Sequence, residues 1–297
     1  MLKIDQLQKS FGNKQILNNL CLEIPDGAIF GLVGINGAGK STLLRCIAGV
    51  YEPEQGCILF NDCDTYEDER IRNEIAFVSD EAYFPVGSTI KSVKQLYETL
   101  YDRFSQIDYQ KYLELFQLDE NASIVNLSKG NKRRVSLLFA LCTKPKLLLL
   151  DEAYDGLEPL ARYKFKNVLT QLIEDEQITV IISSHNLKEL EDICDSFGIL
   201  EAGKMMEYGD LTESKENINK YQIVFDHELE DNAFDAFDIL HLDHEGRVYK
   251  LVARGNQNNI LSKIQQMHPL LVDVLQVNFE ELFIYELQAK EKSHDQQ

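Results

Sequence analysis

Apolar positions along the chain fall into short runs of two kinds. "KLLLLDE" (146–152) and "ITVIISSH" (178–185) are uniformly apolar, brief and bounded by polar residues, the pattern of strands buried on both faces of a parallel sheet. "LKIDQLQKSF" and "CLEIPDGAIFGLVG" near the start are β-rich, and the second runs directly into "GINGAGKST" (34–42). The next stretch, "STLLRCIAGV", repeats its apolar residues on a helical period and ends at Gly49. The order is therefore strand, glycine loop, helix.

From Ser88 onward Val93, Leu96, Tyr97, Leu100 and Phe104, then Tyr112, Leu113 and Phe116, predict helices, giving a helical insert over about 88–142. "GILEAGKMMEYGD" reads as a hairpin. Beyond about residue 212 come a strand "KYQIVFD", a hairpin "DILHLDHEGRVYKLVARG", a helix around Ile260–Met267 and a strand "LLVDVLQV". A last helix is expected from Asn278, with Glu281 at capping-box spacing. The expected fold is α/β, with a mostly parallel central sheet, an N-terminal antiparallel β part and the helical insert within 1–211, followed by a small α+β domain over 212–297.

Composition narrows the function. The formal charge of −19 on 297 residues disfavours a nucleic-acid partner, whose phosphates reward lysine and arginine. The tight basic cluster "NKRR" (131–134) reads as one solvated face of a helix. Six cysteines show neither a C-x-x-C pair nor zinc spacing to histidine, so reduced and mostly buried thiols are expected. No apolar run approaches a membrane span, and work at a membrane would need helices from another chain. Disorder is expected only in the polar tail "KEKSHDQQ".

The glycine loop carries the first chemistry. Gly34, Gly37 and Gly39 let the backbone curl with its N–H groups inward, and the following helix adds its N-terminal partial charge, so a polyphosphate would be held mainly by main-chain donors. Lys40 adds a mobile cation and Ser41 a hydroxyl for Mg²⁺. The match to G-x-x-x-x-G-K-[ST] arises by chance in roughly one chain in a hundred of this length. Asp151 ends a buried strand, where it could reach the metal, and Glu152 beside it suits a general base for water. His185 closes the other apolar strand, from which it could hold a terminal phosphate and water in register.

Over roughly residues 1–210 the chain resembles the ATP-binding cassette ATPases, the nucleotide-binding subunits of ABC transporters. "GINGAGKST" resembles Walker A, "KLLLLDE" Walker B, "NLSKGNKRR" the signature motif and "SSHNLKELEDICDSFGILEAGKMMEYG" the switch-histidine segment with its hairpin. The resemblance implies a P-loop NTPase cassette using ATP and Mg²⁺. It assigns nucleotide binding to Asn36, Gly37, Ala38, Gly39, Lys40, Ser41 and Thr42, adenine stacking to Phe11, and catalysis to Glu152, His185 and Lys40. Two cassettes would pair head to tail, so that Ser128, Lys129, Gly130 and Asn131 meet the partner's ATP. The metal set would be Ser41, Asp151 and, at the glutamine-loop position, Asp80.

Several positions depart from the family pattern. "LSKGN" stands for "LSGGQ", Asp80 and Glu81 occupy the region of the usual glutamine, Ala153 replaces a proline, and Glu158 replaces the D-loop aspartate. An acid at 80 could still ligate Mg²⁺ directly or through water. The segment "VNFEELFIYELQ" is similar to the closing helix of ABC-2 type exporter ATPases, and the extra domain would dimerise or regulate. The implied reading is an exporter's energising subunit, cytoplasmic at the inner membrane face, with separate transmembrane permease subunits and either a second copy or a sister ATPase. The alternative is a soluble regulatory ABC-type ATPase. A GTPase is disfavoured, since no N-K-x-D motif follows Walker B.

Overall fold

The computed structural model describes residues 1–152, 157–185, 190–210, 217–230, 232–278, 280–281 and 284–285. Two compact units result, Met1–Tyr208 and Gly209–Gln297. The expected polar tail and most of the closing helix lie outside the described residues.

The first unit opens with an antiparallel sheet. β1 (Leu2–Phe11) pairs with β2 (Lys14–Ile24) and with β4 (Gln55–Phe60), and β5 (Cys63–Asp64) adds to β4. β2 begins well before the run at Cys21 that marks it in the sequence. Gln6 and Asn19 both adopt left-handed backbone (φ 48° and 50°), and the β1–β2 register shifts between Ile4 and Leu7, so the alternation of the two strands is broken there.

The second sheet has the order β10-β9-β3-β8-β7-β6, made of β3 (Ile29–Val33), β6 (Ile75–Val78), β7 (Leu147–Asp151), β8 (Thr179–Ser184), β9 (Ser196–Glu201) and β10 (Lys204–Asp210). The pairs β6–β7, β7–β8, β8–β3 and β3–β9 are parallel. Every residue of β3, β7 and β8 is buried, which explains their unbroken apolar runs. α1 (Lys40–Ile47) buries Leu43, Leu44, Cys46 and Ile47 in one core with Leu2, Ile4 and Leu20 of the first sheet and Leu32, Leu147 and Leu149 of the second. That burial fixes the glycine loop between the two sheets.

The helical insert contains α3 (Ile90–Leu100) and α4 (Gln106–Leu115), then a 3-10 turn (Ile124–Asn126) and α5 (Lys129–Cys142); α2 (Glu69–Arg72) is a single turn before β6. Side-chain caps start all four of these α-helices: Asp68 on α2, Thr89 in a capping box with Ser92 on α3, Ser105 on α4 and Ser128 on α5. Tyr109, Tyr112, Phe116 and Phe139 are buried, with Tyr97 stacked on Phe139 at 4.6 Å, whereas Leu96 and Leu100 are exposed and Phe104 lies beyond α3.

"NKRR" is not a solvated face. Arg133 is 4% exposed, and its Nη2 donates to the Asp80 carboxylate (2.6 Å) and to the Asp80 carbonyl (3.0 Å). Arg134 donates to Glu158 Oε2 at 2.9 Å, and Glu158 is the N-cap residue of α6 (Pro159–Glu176). Consecutive arginines on α5 thus bind two acids, Asp80 and Glu158, that lie on different segments of the chain. Lys129 adds a contact to Asp80 at 3.5 Å. A charge count could not have shown this, because the partners sit 53 and 24 residues away in sequence.

The second unit is an antiparallel sheet of order β12-β13-β11-β14, formed by β11 (Ile218–Val224), β12 (Asp238–Glu245), β13 (Val248–Arg254) and β14 (Leu271–Leu275), with α7 (Gln257–Gln266). Tyr221, Ile223, Phe225, Phe234, Tyr249, Leu251 and Ile264 form its core. The Asn278 side chain accepts from the Glu281 N–H (2.8 Å) and Glu281 accepts from the Asn278 N–H (3.5 Å), the capping-box exchange expected there.

Two outcomes follow from this packing. Burial pushes the Cys46 thiol up to about 11 and raises those of Cys142 and Cys194, so their reactive thiolates are scarcer than usual at neutral pH, whereas Cys21 is exposed. Alkylation of the folded protein followed by mass spectrometry should modify Cys21 and leave Cys46, Cys142 and Cys194 unmodified. Removing the Asp80 carboxylate leaves the buried Arg133 guanidinium without its anion. Asp80→Ala should cost about 1–3 kcal/mol in urea unfolding of the full chain, and adding Arg133→Met should recover most of it.

Candidate nucleotide site

Parallel strands bring their carboxyl ends to one edge of a sheet, and the order β3-β8-β7 gathers three chemically loaded ends there. β3 delivers Gly34–Lys40, β7 delivers Asp151 and Glu152, and β8 delivers Ser183, Ser184 and His185. The registers Val33↔Ser184 and Asp151↔Ser183 set these ends level.

In the loop, Gly37 and Gly39 have φ of 85° and 111°, left-handed values costly for other residues, and Gly39 is the N-cap of α1. Gly34 is required for another reason: a Cβ there would lie 2.5 Å from the Leu200 carbonyl oxygen. The three glycines the sequence groups together thus serve two separate needs. Lys40 is 5% exposed; its Nζ donates to the Gly34 carbonyl at 2.7 Å and lies 3.9 Å from Glu152 Oε1. An open cleft of about 250 Å³ is lined by Lys14, Ile16, Asn36, Gly37, Gly39, Lys40, Ser41, Thr42 and Glu152. Ala38 is buried beneath it, its N–H donating to the Ile35 carbonyl at 3.1 Å.

Asp151 is fully buried. Its Oδ1 accepts from the Ser41 hydroxyl (3.0 Å) and from the Ser183 hydroxyl (2.9 Å), while Oδ2 has no hydrogen-bond partner. A buried carboxylate oxygen left unpaired is costly unless a cation or donor meets it. Among the described residues no group of three or more His, Cys, Asp and Glu side chains could hold a metal by itself. One hydroxyl and one carboxylate oxygen fit Mg²⁺ whose remaining ligands are phosphate oxygens and water. Glu152 adopts a left-handed φ of 48° and is half-buried, and its Oε1 lies 3.7 Å from His185 Nδ1. Lys40, Ser41, Asp151, Glu152 and His185 thus form one cluster.

Other sequence-selected residues lie elsewhere. Phe11 is 47% exposed at the end of β1, in a T-shaped contact with Tyr51 at 5.2 Å and with Lys9 Nζ over its ring at 5.6 Å, so it is not a core residue. Tyr51 was not selected from the sequence. Ser128 and Lys129 are exposed at the start of α5, where Ser128 accepts from the Asn131 N–H at 3.2 Å. Among the described residues, positions 128–131 make no hydrogen bond or ion pair with the Lys40–Glu152 cluster. Asp80 is brought to Arg133 and Lys129, Glu81 is exposed with its carbonyl accepting from Ser79 Oγ, and Glu158 is held by Arg134. Ser183 is the residue that sequence reasoning missed: only the strand register shows that its hydroxyl faces Asp151.

Residues 17–155 match the family model described as ABC transporter. The ABC transporter ATP-binding protein YtrB of Bacillus subtilis (strain 168) is 28% identical over 98% of this chain and 100% of its own length. The lantibiotic transport ATP-binding protein SrtF of Streptococcus pyogenes is 31% identical over 76% of this chain and 99% of its own, and methionine import ATP-binding proteins are also among the relatives. A solved ATP-binding subunit of an ABC transporter superposes with a TM-score of 0.67 at 26% identity, covering 72% of this chain and 92% of that one. With a relative above 30% identity matched over nearly its whole length, and an αβ cassette that brings a glycine loop to the buried Asp151 and its neighbour Glu152, this chain belongs to the ATP-binding, ATP-hydrolysing subunits of ABC transporters.

Proposed function

We propose that this chain powers an exporter by ATP-driven closure of a cassette dimer, and that the Lys40–Ser41–Asp151–Glu152–His185 cluster is its hydrolytic half-site. The observation that carries the site is the convergence of these five side chains at the ends of three registered strands. Export is supported by the likeness of 277–288 to the closing helix of exporter ATPases and by the relative that serves lantibiotic transport. No helix among the described residues is long and apolar enough to cross a membrane, so we assign the pathway to separate transmembrane permease subunits that hold the chain at the inner membrane face. The cargo-handling contacts belong to those subunits.

In this reading the backbone N–H groups of Asn36–Ser41 and the positive end of α1 hold the phosphates, and Phe11 stacks on the adenine. Ser41 and Asp151 would hold Mg²⁺, which when bound neutralises charge on the β- and γ-phosphate oxygens. Lys40 leaves the Gly34 carbonyl for a phosphate oxygen, a stronger acceptor because it is charged. Glu152 accepts a proton from the attacking water as the water oxygen bonds to the γ-phosphorus and the bond to the bridging oxygen breaks, releasing ADP. His185 holds the Glu152 carboxylate and the departing phosphate in line. Ser128, Lys129, Gly130 and Asn131 act on the ATP of the facing cassette, which is either a second copy or a sister ATPase. Asp80 and Glu81 couple the cassette to the permease, and Glu158 lies at the dimer contact. Residues 1–211 act as the ATPase domain and 212–297 as an accessory domain that dimerises or regulates.

Glu152→Gln keeps the shape of the side chain but not the base, and should lower ATP turnover by about 10²–10⁴-fold. Light scattering of this variant should show a dimer with ATP and Mg²⁺ and a monomer without them. A mass that ignores ATP while ATP still binds would sink the homodimer. Lys40→Ala should weaken ATP binding at least about tenfold by equilibrium titration, since a charge-assisted bond to phosphate is lost.

A further inference from the structure

The cluster above contains one buried group that no role yet uses. Ser183 is fully buried on β8, and its hydroxyl makes two bonds at once: it donates to Asp151 Oδ1 at 2.9 Å and accepts from the Glu152 N–H at 3.0 Å. The same Glu152 N–H also reaches the Ser183 carbonyl at 3.2 Å. A hydroxyl has one proton to give, and here Asp151 receives it.

Two consequences follow for the acids. First, the Asp151 carboxylate is prevented from rotating: Ser183 and Ser41 both donate to Oδ1, and this leaves Oδ2 as the buried oxygen without a partner. Second, Glu152 sits at a left-handed φ of 48°, a conformation that is strained for a non-glycine residue. The paired bonds from its N–H to Ser183 hold the chain there, at the point where it turns the Glu152 side chain toward Lys40 and His185. The two donors on Oδ1 differ in kind. Ser41 would turn its hydroxyl oxygen to a bound cation, whereas Ser183 lies across the strand pair from the loop and would remain.

We propose that Ser183 is a positioning residue for the cation site: it clamps the Asp151 carboxylate so that Oδ2 faces Mg²⁺, and it fixes the Glu152 backbone relative to that carboxylate. This rests on the reading of Asp151 as the carboxylate that meets Mg²⁺. It touches neither nucleotide nor metal. Its removal therefore should alter the metal requirement without altering metal-free nucleotide binding.

The test uses the full chain and a fluorescent ATP analogue, titrated with Mg²⁺ and, separately, in EDTA. Ser183→Ala should raise the Mg²⁺ concentration for half-maximal binding by about 10–100-fold, the usual effect of losing a group that orients a metal ligand. Its nucleotide affinity in EDTA should stay within about twofold of the parent, and Ser183→Thr, which restores the hydroxyl, should recover the parent's Mg²⁺ requirement. If Ser183→Ala does not fold, Ser183→Cys replaces it, since a thiol fills similar space but donates weakly, and carries the same expectation. An unchanged Mg²⁺ requirement, or an equal loss of affinity with and without Mg²⁺, overturns the proposal. Asp151→Ala separates the two readings: if it too leaves the Mg²⁺ requirement unchanged, the assignment of Asp151 fails. If Asp151→Ala raises it and Ser183→Ala does not, only the role of Ser183 fails.

Discussion

The parallel register of β3, β8 and β7 is the constraint on which the rest depends. These strands are five or six residues long and buried throughout, so a slip by one position would turn every side chain to the opposite face and move the polar ends out of line. In register, Val33 faces Ser184 and Asp151 faces Ser183, and the last apolar residue of each strand is followed at once by its chemistry. The core under α1 holds the strands in this alignment from one side. A hydrophobic interaction thereby sets distances of about 3 Å between polar groups that water would otherwise hydrate.

Electrostatics then organises what the core cannot reach. The chain is strongly acidic overall, yet two consecutive arginines, Arg133 buried and Arg134 nearly so, are committed to the more exposed Asp80 and Glu158. Both acids are anchored to α5, the helix that Ser128 caps. The start of α5 is consequently tied to the chain leaving β6 and to the first residue before α6. A pair with one buried partner resists change strongly, because breaking it strands a charge in a poor solvent.

What could be read from the residues alone divides along physical lines. Uniform apolar runs revealed β7 and β8, the glycine loop and α1 followed from spacing, and the hairpin and helix of the second unit followed from turn residues and period. β5 and β6 escaped because they are short, and β4 carries Gly56 at φ 80° as its second residue, which hides a strand behind a turn signal. "NKRR" was misread since burial of an arginine depends on partners distant in sequence. Ser183 was invisible for the same reason: a serine in a β-rich run is unremarkable until the register across the sheet places a carboxylate opposite it. Phe11, which the resemblance assigns to adenine, is 47% exposed, a fact that depends on the fold and not on composition.

The central claim is that each chain carries a half-site, with the acid cluster on one surface and the signature residues for the facing cassette on another. Mixing two inactive variants tests it most directly: one with Lys40→Ala, the other with Ser128→Arg, assayed for phosphate release separately and together. The account predicts that each alone is inactive and that activity reappears on mixing, as random pairing leaves about one site in four intact. No recovery on mixing, or full activity of the Ser128→Arg chain alone, would contradict it.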